Sequence, residues 1–421
     1  MNLTLESLQD VHETISALER IDAVQQQSDL YNEIHDLGER TQNCLNLINE
    51  LNVCVESLNS AGYSKEWFDI VNAEGNFPTV VDLDLPKFFG GDEAKQVACE
   101  GAIWDTIKRW VETVCKWITE LIKKIVGWIS NFNRFWFRTG KQDVEFVSQL
   151  REKSIELSKY ALDPQVLQEY PSIKLALTRA YGEYKCYDAN IIHSYISSVE
   201  KFLAILFMPQ KGAFEEIKEM VKVSKGIIPP TAENQLPAGG ETNSKQVLPS
   251  HIFQLIIRHC DTFNFSPTIP LCGFELNPDS GVEFVDVQAI PTIEFSTFDQ
   301  KSFNEFAENA KMLDASSKVF DRIVNVKRTA EKVLTDMRTS AEEAKKRAIQ
   351  SAKDRNTTAD TRNWCITLGY IDEFLRIVAK TYSFANKINA ILLQQNSNNK
   401  RLFQQLNELG NAVLAQKKQK K

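Results

Sequence analysis

Apolar residues recur every three or four positions along most of the chain, which is the spacing of amphipathic helices. Over residues 3–60 this pattern predicts two helices whose opposite faces are rich in acidic and amide side chains. Near the C-terminus it predicts three more helices, at 302–352, 362–396 and 399–416. We therefore expect a mainly α protein, an elongated multi-helix bundle with long C-terminal helices.

The helical spacing is lost around residues 250–298. Alternating stretches such as VEFVDVQAI favour short strands there, and four prolines restrict them to short or edge positions. The whole chain holds only 17 Gly and 13 Pro in 421 residues, too few for a turn-rich all-β fold. We expect a small β element in this segment and helices elsewhere.

Composition and breaker residues divide the chain into seven segments. They are an acidic helical region (1–71), an irregular connector (72–100), a basic tryptophan-rich helix (101–141), a helical region (142–226), a linker (227–249), the β-containing segment (250–298) and a long-helix bundle with a basic tail (299–421).

The tryptophan-rich helix is the most unusual segment. Residues 101–141 carry eight basic and three acidic side chains, and residues 100–137 hold five of the seven tryptophans. A wide aromatic stripe opposed by lysine is typical of a helix at a membrane interface, but also of a bundle core helix or a protein-binding face. The candidate membrane or partner face comprises Trp104, Trp110, Trp117, Trp128, Phe132 and Trp136.

Two structural expectations follow for this helix. Residues 103–132 should form one continuous helix of about 45 Å. In the full-length chain, other helices should cover its aromatic stripe, so that Trp110, Trp117 and Trp128 are not exposed side by side.

Charge is unevenly distributed along the chain. Residues 1–100 contain 19 Asp and Glu against 5 Lys and Arg, whereas residues 101–421 contain 37 acidic and 44 basic residues. Such a division suggests that the two parts meet different surroundings or cover each other, although independent domains also differ in charge by chance. The terminal QKKQKK supplies candidate DNA or phosphate contacts at Lys417, Lys418, Lys420 and Lys421, or is simply a solvated end.

No familiar catalytic or nucleotide-binding motif occurs in the sequence. The eight cysteines are scattered without C-x-x-C spacing, and His251, His259, Cys260 and Cys272 fit no zinc pattern. We therefore expect no enzyme active site, no cofactor and no metal. The sequence also predicts neither a signal peptide nor a transmembrane helix.

The segment GAIWDTIKRWVETVCKWITELIKKIVGWI, within residues 95–140, resembles a helix of internal head proteins of large contractile-tailed bacteriophages. In that family the helix often follows a propeptide, which the prohead protease removes after a small residue, any residue and Glu. Ala98, Cys99 and Glu100 have this form, and Gly101 would be the new N-terminus. The same pattern occurs at 17–19, 64–66, 154–156, 198–200 and 213–215. The connector before Glu100 and the change in charge favour cleavage there.

The resemblance implies a non-enzymatic structural protein inside the virion head. It would be assembled in the host cytoplasm, made with an acidic propeptide and packaged with DNA. Other capsid or virion proteins would be its partners, and it would be able to oligomerise. The alternatives are a membrane-active protein in the style of α-helical pore-forming toxins, meeting a membrane surface through 103–136, and an intracellular helical scaffold.

Overall fold

A computed structural model describes residues 5–64, 66, 91–135, 141–182, 186–208, 212–215, 251–277, 281–293, 299–354 and 358–419. Within these residues the protein is mainly α, as the periodicity predicts, with ten α-helices and two small two-stranded sheets. The predicted linker at 227–249 lies outside them.

Four long helices form the framework of the bundle and six shorter ones pack around it. The long helices are α1 (Leu5–Ala61), α2 (Asp92–Phe135), α9 (Lys327–Asp354) and α10 (Thr358–Gln419). The shorter helices are α3 (Lys141–Ala161), α4 (Pro164–Glu169), α5 (Pro171–Gly182), α6 (Ala189–Phe207), α7 (His251–Thr262) and α8 (Gln300–Asn325).

Helix α10 is the longest helix in the described part of the chain and packs against most of the others. Its 62 residues correspond to a length of about 93 Å, and it packs against α1, α2, α3 and α9. Between Trp364 and Leu393 it contributes to the main core, which also contains side chains from α1, α2, α6, α7 and α9. Between Leu402 and Val413 it joins a second core formed with α3, α5 and α8.

Two predicted helix breaks are absent from the structure. Residues 3–60 were expected to form two helices, but α1 is continuous from Leu5 to Ala61. The break expected between 396 and 399 is also absent, and Asn396 and Asn399 lie buried inside α10. Neither place contains Gly or Pro. A polar interruption of the apolar pattern is therefore not sufficient to end a helix when tertiary packing continues on both sides.

The single helix predicted for 302–352 is instead divided at Val326 into α8 and α9. The Val326 N–H is shared among the carbonyls of Arg322, Ile323 and Val324, and its φ of −65° and ψ of −16° stay close to helical values. A division of this kind needs no breaker residue and leaves no sequence signal. Helix α8 is capped by Asp299, whose carboxylate accepts from the Ser302 N–H at 2.8 Å.

The predicted β segment contains β2 (Phe274–Asn277), β3 (Gly281–Phe284) and β4 (Thr292–Ile293). Strands β2 and β3 form an antiparallel hairpin with Phe274 opposite Phe284. The prediction missed β1 (Cys186–Tyr187), which lies outside 250–298 and pairs antiparallel with β4. Two residues are too few to produce a period-2 pattern, so this strand leaves no signal in the sequence.

Side chains of α8 and α10 hold β1 in place. The Tyr187 N–H donates to Oε1 of Gln395 in α10 at 3.2 Å. Asn309 of α8 donates from Nδ2 to the Tyr187 carbonyl at 3.0 Å and accepts from the Ala189 N–H at 2.8 Å. This short strand therefore fixes the start of α6 against α8 and α10.

Candidate interaction site on the tryptophan-rich helix

The tryptophan-rich segment forms one uninterrupted helix, α2, as predicted for 103–132. The helix begins earlier than the sequence pattern suggested, since residues 92–100, assigned to the connector, are its first turns. Residues 136–140 of the predicted 101–141 segment and residues 72–90 of the connector lie outside the described residues.

Other helices cover the apolar face of α2, as expected for the full-length chain. Trp104 and Trp128 are buried, whereas Trp110 and Trp117 are half-buried at the edges of the core. The Phe132 side chain and Trp136 lie outside the described part. Most of the buried positions along the same face are aliphatic, among them Ile103, Ile107, Val111, Val114, Ile118, Leu121 and Ile125, while Thr106 and Cys115 are buried with them.

Helix α1 covers one side of this face. We call residues 29–61, the part of α1 whose side chains are described, the α1 cover. It runs antiparallel to α2, because Tyr31 lies against Trp128 with ring centroids 6.3 Å apart while Cys44 Sγ lies 3.9 Å from the Trp110 carbonyl oxygen. Near its start, Glu33 forms a 2.6 Å salt bridge with Lys124 of α2.

Helix α9 covers the other side of α2 and is also antiparallel to it. Cys115 Sγ lies 3.8 Å from the Ala341 carbonyl oxygen, and Lys327 Nζ donates to Ser130 Oγ at 3.1 Å. A seam of small residues is buried here, and alanine side chains let the two helix axes approach closely. Its alanines are Ala330, Ala341, Ala344, Ala348 and Ala352.

Two indole groups on the covered face lack hydrogen-bond acceptors. Trp104 Nε1 and Trp128 Nε1 are buried without a partner among the described residues. A buried indole N–H usually finds an acceptor, and leaving a buried donor unpaired costs about 1–3 kcal/mol. The apolar packing around α2 therefore carries a polar penalty that leucine or phenylalanine would avoid.

The outer side of α2 borders a groove shared with α9. The groove has a volume of about 610 Å³ and is lined by Lys116, Trp117, Thr119, Glu120, Lys123, Glu342 and Lys345. Three cations face two carboxylates there, and the Trp117 ring forms part of the wall. The exposed part of the Trp117 ring therefore lies in a charged groove and not in a continuous apolar patch.

Helix α1 also packs along α10, where it meets an ion pair between a buried carboxylate and a half-buried guanidinium. Arg376 Nε donates to Asp372 Oδ2 at 3.0 Å, and a Cβ added at Gly38 would lie 2.6 Å from Arg376 Cδ. Burial raises the pKa of Asp372 to about 7, although the neighbouring guanidinium of Arg376 acts in the opposite direction. Gly38 is therefore the point at which the side chain of Arg376 passes under α1.

Three cysteines lie buried in α1, α2 and α10, the helices that pack against one another here. Cys44 of α1, Cys115 of α2 and Cys365 of α10 are free and buried, and desolvation raises the pKa of each thiol to about 12. At neutral pH these cysteines stay protonated and unreactive while α1 is in place. The scattered cysteines of the sequence become neighbours of the α1 contacts only through the fold.

The candidate cleavage site lies inside a helix, which corrects its assignment to a connector. Ala98, Glu100 and Gly101 belong to the first turns of α2; Glu100 and Gly101 are half-buried and Cys99 is fully buried. Among the other matches, Ser64 lies just beyond the end of α1, and Glu66 is exposed. Proteases prefer exposed, extendable segments, so cleavage after Glu100 requires these turns to open.

The C-terminal lysines are arranged differently from a free tail. Lys417 and Lys418 are exposed in the last turn of α10, and Lys417 Nζ lies 4.4 Å from the centroid of the Tyr160 ring of α3. Lys420 and Lys421 lie outside the described residues. At least the first two candidate phosphate contacts are therefore presented from a helix and not from a flexible segment.

The described residues contain no group of three or more His, Cys, Asp or Glu side chains arranged to hold a metal ion. None of the helices within the described ranges is long and apolar enough to cross a membrane. Comparisons with protein-family models, curated proteins and solved structures return no match.

Proposed function

We propose that this chain is a non-enzymatic structural protein of the interior of a bacteriophage head, made with an acidic N-terminal segment that covers the tryptophan-rich helix until assembly. The observation that supports it is the α1 cover itself. It comes from the acidic first 100 residues and lies along the apolar face of α2, within the basic remainder of the chain.

The chemistry of the covered face is consistent with a temporary contact. A permanent core has no need for unpaired indole N–H groups, whereas a face that later meets a protein surface or lipid headgroups can pair them. The cover also supplies the Glu33 carboxylate to Lys124, so removing α1 would uncover apolar surface and a cation together. Partner binding by other virion proteins would follow on that surface.

Proteolytic removal of the N-terminal segment would change the charge of the protein. The product beginning at Gly101 would retain 44 basic and 37 acidic residues, in place of the 49 and 56 of the whole chain. A protein of net positive charge is attracted to packaged DNA through release of counterions, without sequence specificity.

The intact mass of protein isolated from its natural source tests the processing step. We expect a chain that begins at Gly101. Glu100→Gln should keep the chain at full length during phage infection, because a protease pocket that recognises the carboxylate would lose its ligand. Glu156→Gln changes the same tripeptide pattern inside α3 and should leave processing intact.

Two other masses would contradict this assignment. A product beginning at Trp67 would place the cleavage after the exposed Glu66 instead. Full-length chain in purified virions would rule out the propeptide hypothesis and make the acidic region an ordinary domain.

Leakage from anionic vesicles caused by the Gly101 product would show that the uncovered face of α2 acts on lipid, which would favour the membrane-active alternative.

A further inference from the structure

We propose that the solvent face of α9 is a docking surface for the phosphate backbone of double-stranded DNA. This deepens the proposed function and rests on it only for the choice of DNA as the polyanion. The surface differs from the C-terminal lysines, and it is already exposed in the full-length chain.

The exposed positions of α9 are strongly biased towards positive charge. Between Lys327 and Lys353 ten positions are exposed; six are Lys or Arg and one is Glu. The basic residues are Arg328, Lys332, Arg338, Lys346, Arg347 and Lys353. The bias is notable because the whole chain carries a net charge of −7. A solvated helix in such a chain would be expected to expose both signs.

Four of these side chains form a line along the helix, which we call the basic stripe. At 100° per residue, Arg328, Lys332, Lys346 and Lys353 project within about 60° of one another, and the stripe is about 38 Å long at 1.5 Å per residue. One turn of B-form DNA spans about 34–36 Å. The stripe is therefore long enough to reach phosphates across a full turn of a duplex.

Helix α2 adds positive charge beside the stripe. The antiparallel register, in which Cys115 contacts Ala341 and Ser130 contacts Lys327, places Lys116 and Lys123 next to the part of α9 between Lys332 and Lys346. These two lysines and Lys345 line the groove between the helices. Glu120 and Glu342 offset part of this charge, so the groove extends the basic surface without dominating it.

Most cations of this face are not neutralised by the protein. Arg347 pairs with Glu343 at 3.0 Å and lies over the Trp364 ring at 5.3 Å. By contrast, Arg328, Lys332, Arg338 and Lys346 form no ion pair with any described residue. Their charge is available to an external anion.

The uncharged residues of the face favour DNA over other polyanionic partners. The remaining exposed positions are Thr335, Thr339 and Gln350, so the face offers neither an apolar anchor for a bilayer or a protein nor a ring for stacking single-stranded bases. The Thr335 and Thr339 hydroxyls donate to the helix carbonyls of Glu331 and Thr335, so the face acts mainly through its charge. Charge without apolar surface suits a duplex backbone.

The test compares two full-length variants with the same change in net charge. The first is Arg328→Gln/Lys332→Gln/Arg338→Gln/Lys346→Gln, which removes four of the six exposed cations of the face, three of them on the basic stripe. The matched control, Lys153→Gln/Lys159→Gln/Lys174→Gln/Lys201→Gln, removes four exposed lysines of α3, α5 and α6. Glutamine is a good helix former, and circular dichroism would verify that both variants fold.

Fluorescence anisotropy with a labelled duplex of about 30 base pairs, roughly three helical turns, measures binding as salt is varied. Each lost phosphate contact lowers the slope of log K against log salt by about 0.9, so we expect the first variant to lose about 3–4 units of slope. Its affinity should fall at least tenfold at low salt, while the control stays within about twofold of the wild type. If the quadruple variant fails to fold, Arg328→Gln/Lys332→Gln should lose about half of that slope.

Several outcomes would overturn the proposal. They are equal losses in the two variants, no duplex binding by the wild type, or tighter binding of the wild type to phosphatidylserine vesicles than to the duplex. None of these results depends on processing at Glu100. A failed DNA test is therefore distinguishable from a failed mass measurement on the natural protein.

Discussion

Asp372 shows how one residue couples the packing of α1 to pH. Its side chain is fully buried and paired with Arg376, whose own side chain passes beneath Gly38 of α1. Burial penalises the ionised carboxylate more than the neighbouring guanidinium favours it, so the pKa of Asp372 is raised to about 7. The folded state therefore holds this proton more tightly than the unfolded chain does.

The raised pKa predicts a stability change of definite sign. Asp372 stabilises the fold fully below its unfolded pKa of about 4, and this contribution is lost as pH rises towards 7, at up to about 1.4 kcal/mol per pH unit. Asp372→Asn cannot ionise, so it should lose less stability than the wild type between pH 4 and 7. Urea unfolding at several pH values measures the difference. Asp36→Asn, at an exposed position of α1, is the control and should parallel the wild type.

The sequence could not single out this residue. Asp372 and Glu373 are adjacent in GYIDEFLRIVAK, but only the first is fully buried, while Glu373 is half-buried. Which of two neighbouring carboxylates faces the core depends on where α1 lies, and periodicity does not contain that information. The tryptophans are the opposite case, because their number and spacing alone drew attention to the α2 face.

At the scale of the helices, replacing either of two glycines by alanine should change the stability of the protein in opposite directions. Gly127 is exposed in α2 and a Cβ there would meet nothing within 4 Å, whereas a Cβ at Gly410 of α10 would lie 2.6 Å from Leu157 Cβ. Gly127→Ala should stabilise the protein by about 1 kcal/mol through helix propensity. Gly410→Ala should destabilise it by about 1–3 kcal/mol, because α3 and α10 would have to separate.

Thermal or urea unfolding of the two alanine variants measures these effects on the same substitution. Stabilisation of both variants would show that the contact of α10 with α3 does not require glycine, and destabilisation of both would contradict the prediction for Gly127. The comparison is informative because helix propensity is common to both positions. Only the neighbouring helix differs.

Helix positions were more predictable than helix ends. The apolar spacing correctly located α2 and the break before α10, since each depends on the period of a single helix. The lengths of α1 and α10 were wrong, because continuous packing on both sides carries a helix through polar stretches. The position of Glu100 inside α2 was missed for a related reason. The first turns of α2 lie in a segment whose residues, taken alone, do not favour a helix.

At the scale of the molecule, the free energies of apolar burial and of ion pairing show what holds the acidic segment in place. The α1 cover buries seven aliphatic side chains: Ile34, Leu37, Leu45, Ile48, Leu51, Val55 and Leu58. At about 1.5–3 kcal/mol each they supply roughly 10–20 kcal/mol, and each contact buries apolar surface on α2 or α10 as well. The partly exposed pairs Glu33–Lys124 and Glu56–Arg362 add about 0–1 kcal/mol each. The two parts of the chain therefore differ in charge, but the burial of apolar side chains, more than ion pairing, holds them together.

This balance predicts that cutting the chain does not release its acidic segment. A site for a specific protease, inserted between residues 71 and 90, would separate α1 from α2 without altering either helix. After cleavage the two fragments should elute together on size exclusion in 1 M NaCl, where the screening length of about 3 Å suppresses ion pairs. Cys44, Cys115 and Cys365 should remain unreactive towards a thiol reagent until a denaturant is added. Separation by salt alone, with immediate thiol labelling, would show that electrostatic attraction holds the cover. If the fragments stay together, processing after Glu100 would have to be followed by unfolding or digestion of α1 before the basic body could act on DNA or on other virion proteins.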